Sequence, residues 1–429
     1  MTKRRHVLVF PAGTEVGNEV LLALQNAKEV RLFGAGQAVS NHAQFSYPEY
    51  HQVPSVYQDG WLEILAHLCR TLAIDYVIPG HDDTVVALAR HAASIPATVI
   101  SSPLDACETT RSKSSTYRRL EGIVRVPAIF ATPEEVRTYP VLVKPDRGQG
   151  SWGVQTADCR EALDRACAAI ALPIICEYLP GEEYTIDCLS DREKGLLFAG
   201  ARLRRRTRNG ISVNTITTEL PGISRTAAAI ASALKLRGAW FFQLKRAADG
   251  ELALLEVAPR IAGSMAAHRV MGVNFPLLSI YEAERLSLSI LVNPGVVELD
   301  RGLNNRYRHQ IAFDHVYVDL DDTLILNERI NPILIQFLYK CLNQKKTLTL
   351  LTRHRGNLAE TLAKHRIGAL FDRIVHLRHD EPKSRYITDK SSILVDDSFA
   401  ERFEVTKVCG IPTLDCSMVE VLVSEADSN

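Results

Sequence analysis

The chain has 429 residues, room for two or three domains at roughly 150 residues each. Hydrophobic residues make up 46% and charged residues 23%, which excludes a disordered, collagen-like or disulfide-scaffold chain. Fifty Lys plus Arg balance fifty Asp plus Glu, so no net field points to nucleic acid or to an anionic membrane. The first apolar run, Val7 to Phe10, is broken by Pro11, Ala12 and Gly13 and is too short for a signal peptide. No stretch approaches the roughly 20 apolar residues of a membrane span. Nine cysteines occur without a C-x-x-C pair, so reduced thiols and a cytoplasmic location are expected.

In chain order, Val7–Phe10 reads as a buried strand, followed by a turn and a helix over 19–27. Further strands are predicted at Val30–Phe33, Asp75–Pro79 and Val99–Ser101, with a helix over 84–92. Strands alternating with helices imply a parallel, doubly wound sheet. The loop PAGTEVGNE carries Gly13 and Gly17 but not G-x-G-x-x-G, so a dinucleotide site is not expected there. In PGHDDT, Asp83 is expected to cap the helix that follows rather than to bind metal with His81 and Asp82.

From about residue 140 to 260 the pattern becomes β-rich. Asp249-Gly250 between AWFFQLK and LALLEVAPR predicts a hairpin. VLVKPDRGQGSWGV delivers Lys144 on a strand and follows it with Gly148, Gly150, Ser151 and Gly153. Glycines let backbone N–H groups approach phosphate oxygens, and a lysine adds a point charge. CEYLPGEEYTIDCL and FFQLKRAADGELALLEVAPR come after it.

Together these three segments resemble the ATP-grasp superfamily over roughly residues 5–290. The resemblance implies that Lys113 and Lys144, with Gly148, Gly150 and Ser151, bind the phosphates of ATP. It implies that Glu177, Tyr178 and Leu179 meet adenine through their backbone and that Glu183 holds the ribose. Gln243 and Glu256 match the magnesium-binding positions, and Arg260 matches an arginine that steadies the phosphates. The sequence departs from the family's E-x-N-P-R at Ala258, which offers no side-chain oxygen and weakens one metal site. ARLRRRTRNG places five arginines on a predicted strand and its turn. The resemblance turns this region toward the substrate, with Arg204 or Arg206 as the candidate stabiliser of an acyl phosphate. His268 and Arg269 are weaker candidates for substrate contact. The stretch 296–311 is polar and turn-rich and reads as a linker.

A second α/β pattern follows. HVYVDLDDTL sets Asp319 and Asp321 at the end of an apolar strand, where one acid can attack phosphorus and the other can transfer a proton. LTLLTR ends in Thr352, a phosphate-binding hydroxyl. DEPKSR supplies Lys383, with Lys390 as its rival. SSILVDDS ends in Asp396 and Asp397, which can hold magnesium with Asp319. This ordered set resembles the haloacid dehalogenase (HAD) phosphatases over about 312–429, with Asp319, Asp321, Asp396 and Asp397 at the metal. Between the first two motifs there is room for one helix, Pro332 to Leu342, and for no cap domain.

The expected fold is therefore α/β throughout. A Rossmann-like pre-ATP-grasp lobe (1–108) precedes the α+β lobes of an ATP-grasp domain (109–295). After the linker comes a Rossmannoid HAD domain (312–429) without a large cap. The implied activity is a bifunctional one: an ADP-forming carboxylate–amine ligase and a phosphatase serving the same pathway. The alternative is a phosphatase regulated by a non-catalytic ATP-binding module. ATP and Mg2+ (or Mn2+) are the implied cofactors. Small carboxylates, amines and phosphoesters are the expected partners, nucleic acid and membrane are not, and the ligase resemblance implies a homodimer.

Overall fold

Among the described residues, short apolar runs bounded by turns form five sheets. The computed structural model describes residues 4–148, 150 and 152–423. The chain divides between Leu303 and Asn304 into two compact units.

The first unit opens with a parallel five-stranded sheet in the order Tyr50–Gln52, Val30–Gly36, Arg5–Phe10, Tyr76–Pro79 and Thr98–Val99. The alternation of strand and helix predicts this sheet. Tyr50–Gln52 escapes prediction because it is a short, half-polar edge strand that pairs with 34–36. The first helix, Glu15–Leu24, starts four residues earlier than its apolar periodicity indicates, because Thr14 caps it by accepting from the Gly17 N–H. In the next turn the cap is His81, whose Nδ1 accepts from the Asp83 N–H at 3.3 Å. The expectation that Asp83 caps this helix is thus corrected: Asp83 turns to Arg111 at 2.6 Å instead.

Two antiparallel sheets follow. One has the order Ile129–Phe130, Pro173–Glu177, Val141–Pro145 and Gln155–Ala157. The other runs Leu252–Ala258, Gly238–Arg246, Glu183–Asp191, Gly195–Arg208, Ile211–Thr218 and Glu298–Asp300. The Asp249-Gly250 hairpin joins the first two strands of this second sheet, and Gly250 takes the positive φ of 88° that the turn requires. Glu298–Asp300 lies within the stretch predicted to be a linker. It pairs with 214–216, and its acids accept from the Asn214 amide at 3.1 and 2.8 Å. Polar composition concealed it, because an edge strand with one solvated face needs little apolar surface.

The second unit is a parallel sheet in the order Arg373–His376, Thr347–Thr352, His315–Val318, Ser392–Val395 and Thr413–Leu414. The first strand in sequence sits in the middle, so connections leave it in both directions and a crevice opens at the strands' C-terminal ends. The helix Pro332–Asn343 matches its predicted span, and only a two-stranded flap, Ile325–Leu326 with Arg329–Ile330, stands between the first two motifs. The central strands are buried on both faces: Val316, Val318, Leu348, Leu350, Ile393 and Val395 are enclosed on one, and Tyr317, Leu351 and Leu394 on the other. Leu350→Ala removes a side chain from the middle of that core. It is expected to cost about 2–5 kcal/mol, read as a lower midpoint in denaturant unfolding at unchanged slope.

Candidate functional site

In the first unit, the two antiparallel sheets contribute to one cavity of about 190 Å3. The strand Val141–Pro145 carries Lys144 into it, and the loop beyond carries Gly148 and Gly150. Lys113, first residue of the helix Lys113–Leu120, enters from the side. The connection 177–179 lines the cavity with Glu177, Tyr178 and Leu179, and Glu183, Gln243 and Glu256 come from the sheet. Ten of the predicted positions are thus brought together. Ser151 lies outside the described residues.

Lys144 is buried and donates to the Tyr117 hydroxyl at 2.8 Å, which holds it in one direction. Lys113 Nζ donates to the Gly148 carbonyl at 3.2 Å and so tethers the glycine loop. Burial lowers the Lys113 pKa, and Lys144 pushes the same way while Glu256 opposes. Two cations this close in low dielectric favour a polyanion between them. Glu177 spends its carboxylate on Arg125 at 3.0 Å, leaving its place in the joining segment as its contribution to the cavity. Glu183 is ion-paired to Arg204.

Gln243 and Glu256 are cross-strand neighbours. Burial raises the Glu256 carboxyl above its ordinary value, with Lys113 opposing. No hydrogen bond from another described residue reaches either side chain. An amide oxygen beside a carboxylate suits a hard divalent cation, with water and phosphate oxygens completing the shell. Ala258 stands opposite Phe241 in the next row and packs into the apolar core, so it adds no ligand.

The small cavity continues into a larger one of about 1580 Å3 that shares Lys113, Arg204, Gln243 and Glu256. Arg260 lines only this larger space. Its Nε and Nη2 donate to both oxygens of Asp82 at 2.6 and 2.8 Å, and its guanidinium lies 5.2 Å from the Phe241 ring. Burial works against the Asp82 charge, but Arg260 holds the carboxyl below its usual range.

The arginine run is sorted by strand alternation broken by the bulges at 204–207. Arg205 and Arg206 are exposed and paired to Glu298 and Asp300, so Arg206 is not among the residues facing the cavity. Arg204 lines both cavities, and Arg202 lines the larger. His268 does not line the cavity; it is buried against Asp187 at 2.8 Å. Arg269 binds Glu19 at 2.6 Å.

In the second unit, three neighbouring strands end together. Asp319, Asp396 and Asp397 offer carboxylate oxygens within 4.8 Å of one another. Lys383 Nζ reaches Asp319 at 2.7 Å and Asp396 at 2.6 Å. Lys390 instead binds the Cys409 carbonyl at 2.6 Å, which decides between the two lysines. The buried Thr323 hydroxyl donates to Asp397 at 3.0 Å and accepts from its N–H at 2.9 Å, bracing the paired acids. Thr352 accepts from the His354 N–H at 3.1 Å. Asp321 is not part of the carboxylate cluster. It faces His354 Nδ1 at 2.9 and 3.0 Å, which corrects its side chain's expected place at the metal. Three carboxylates of which two share one lysine fit a divalent cation.

Burial pushes the Asp319 carboxyl up to about 6, with Asp396 adding to the rise and Lys383 opposing it. Arg301 lines the larger cavity, Asp187 holds His268 and His354 meets Asp321, and no motif points to any of the three. Of these three, Asp187 leaves a trace, as an acid inside the apolar strand TIDCL.

Residues 171–307 match the family model described as ATP-grasp in the biosynthetic pathway with Ter operon. A D-alanine–D-alanine ligase from Fusobacterium nucleatum is 29% identical over 89 residues, 20% of this chain and 31% of that ligase's length. Among solved structures, a biotin carboxylase–β-γ-ATP complex from Campylobacter jejuni superposes with a TM-score of 0.57 at 15% identity. That match covers 68% of this chain and 74% of the carboxylase. An L-amino acid ligase from Bacillus licheniformis gives 0.52 at 18% identity, covering 66% and 75%. These likenesses establish the ATP-grasp fold.

The raised Asp319 carboxyl sets a direction for pH. A divalent ion competes with a proton for the ionised form, so affinity for Mg2+ falls as pH falls through about 6, by up to about tenfold per unit. Lys383→Met removes the only cation between Asp319 and Asp396 among the described residues, and the midpoint moves upward. Calorimetric Mg2+ titrations from about pH 5 to about pH 8 read both effects.

Proposed function

We propose that the chain is a bifunctional enzyme: an ATP-dependent carboxylate–amine ligase joined to a magnesium-dependent phosphatase on the same pathway. The observation that carries the ligase reading is the convergence of Lys113, Lys144, Gln243 and Glu256 on one cavity with the joining segment 177–179. ATP lies along that cavity with its adenine on the joining segment. Lys144 and Lys113 hold its phosphates, with Gly148 and Gly150 leaving room for backbone N–H groups. Glu256 and Gln243 would hold Mg2+, which would supply positive charge to the phosphates.

The substrate carboxylate takes the γ-phosphoryl group and ADP leaves. The amine then attacks the acyl carbon and phosphate departs. Arg260 keeps a fixed positive charge near this centre because Asp82 prevents its rotation, and Arg204 offers a second. The ATP-grasp fold and the matched stretch 171–307 support this reading.

The phosphatase reading rests on the Asp319–Lys383–Asp396 cluster at the ends of parallel strands. The ionised Asp319 attacks phosphorus, and Asp321 protonates the departing alkoxide and then deprotonates the water that clears the aspartyl phosphate. Lys383 and Thr352 steady the phosphoryl oxygens, and Asp319, Asp396 and Asp397 would hold Mg2+, which would supply further positive charge. A second reading, a phosphatase regulated by a non-catalytic nucleotide module, draws on Ala258, which packs in the core where the family pattern has a metal-binding side chain.

ADP release from ATP with Mg2+ separates the two, using Asp319→Asn protein to silence phosphate-ester hydrolysis. With pooled amino acids and small carboxylates, pool-dependent ADP is expected, and Lys144→Ala is expected to abolish it. ATP that binds and is never turned over with any pool would overturn the ligase in favour of the regulatory module. Hydrolysis of p-nitrophenyl phosphate that survives Asp319→Asn would overturn the phosphatase.

A further inference from the structure

Asp187 and Arg202 are both 0% exposed. A guanidinium taken out of water is costly unless its N–H groups find acceptors. Arg202 Nε and Nη2 donate to the two Asp187 oxygens at 2.7 and 2.8 Å. His268 Nδ1 meets the same carboxylate at 2.8 Å, so the acid cannot swing away. Arg202 Nη1 is buried and has no hydrogen-bond partner among the described residues. Arg202 lines the larger cavity.

Its position follows from strand register. Arg202 pairs with Thr185, Thr185 with Gln243 and Gln243 with Glu256, so the four side chains share one row on one face. Adjacent strands lie about 4.8 Å apart, which sets Arg202 about 10 Å along the row from Gln243. That is the span of a small substrate reaching beyond the phosphoryl centre.

A second cation enters from the stretch predicted to be a linker. Arg301 follows the edge strand Glu298–Asp300, is anchored by its N–H on the Val213 carbonyl at 2.8 Å, and lines the same cavity. Gly263 makes room for it: a Cβ there would meet Arg301 Nη2 at 3.1 Å and Glu15 Cβ at 2.9 Å. Burial lowers the Arg301 pKa, and Arg202 pushes the same way while Glu15 opposes. Asp187 and Glu15 balance the two arginines. A region with matched charges suits a zwitterion better than a phosphate dianion.

We propose that Arg202 and Arg301 form a subsite for the carboxylate of a zwitterionic α-amino acid, the second substrate of the ligase, with Asp187 and His268 as positioning residues. Glu15 stands beside Arg301 to receive the ammonium group. The assignment rests on the ligase reading, and it adds to that reading the residues that select the substrate.

The test is a calorimetric binding panel on the full chain: individual α-amino acids, their decarboxylated amines, and inorganic phosphate, each with and without a non-hydrolysable ATP analogue. At least one α-amino acid is expected to bind, and its decarboxylated amine and phosphate are expected to bind far more weakly. Arg301→Ala should weaken that amino acid about tenfold or more, as loss of a charge-assisted contact does, with affinity for the ATP analogue unchanged. Arg202→Lys keeps a positive partner for Asp187, so it tests the subsite without stranding a buried acid, and the same weakening is expected. Amino-acid binding that both variants leave intact would overturn the subsite. So would equal binding of the decarboxylated amine, stronger binding of phosphate, or a panel in which no α-amino acid binds. Amino-acid binding in a chain that binds no ATP analogue would instead overturn the ligase and leave the subsite standing.

Discussion

Glu256, Gln243, Thr185 and Arg202 stand opposite one another on successive strands of the six-stranded sheet, and the ladder that pairs them spaces the whole cavity. Because side chains alternate, a slip of one residue on any of these strands would turn its polar group into the core and an apolar one outward. The opposite face carries Ile186, Phe242, Leu244, Leu254 and Val257, all buried, so the apolar pattern enforces the register that the polar face needs. Trp240 adds a lock, donating its indole N–H to Ser190 at 2.8 Å across the ladder. The pairing shifts register between Gln243 and Leu244, a local irregularity of the kind that re-aims a side chain beside a site.

Both units keep charge out of water by the same means. Asp82 holds Arg260, Asp187 holds Arg202, and Asp319 with Asp396 holds Lys383. Such pairs contribute little net stability, because desolvation offsets much of the attraction. What they provide is direction: a guanidinium gripped on two nitrogens presents its remaining N–H groups at one angle. Asp82 and Asp83 start one helix yet serve two arginines, Arg260 and Arg111, from different segments. The parallel sheet and the ATP-grasp lobes of the first unit are thereby joined through the cavity wall.

Much of the site was legible as motif. Lys144 with its glycines, the Asp249-Gly250 hairpin, Asp319, Thr352 and Asp396 at strand ends, and Lys383 in the turn between strands could all be read from residue type and spacing, since each depends on neighbours within a few residues. The choice among the arginines of 202–208 could not. Alternation separates Arg202, Arg204 and Arg206 from Arg205, but only the bulges near 204–207 set how far each one turns, and Arg206 ends at Asp300 on the edge strand.

The sequence by itself determined the two α/β patterns, a linker over 296–311, and the glycine-loop and acid-rich strand ends, because periodicity and turn chemistry are local; the division between 303 and 304 comes from the packing. Tertiary structure alone decided which partner each charge meets. Arg260 finds Asp82 across 178 positions, His268 finds Asp187 across 81, and Asp321 finds His354 across 33. It also returned Arg301 from a predicted linker to the cavity. A buried charge seeks whichever opposite group the packed core brings near, and that nearness is a property of the assembled sheets, with no signature in the chain's local pattern.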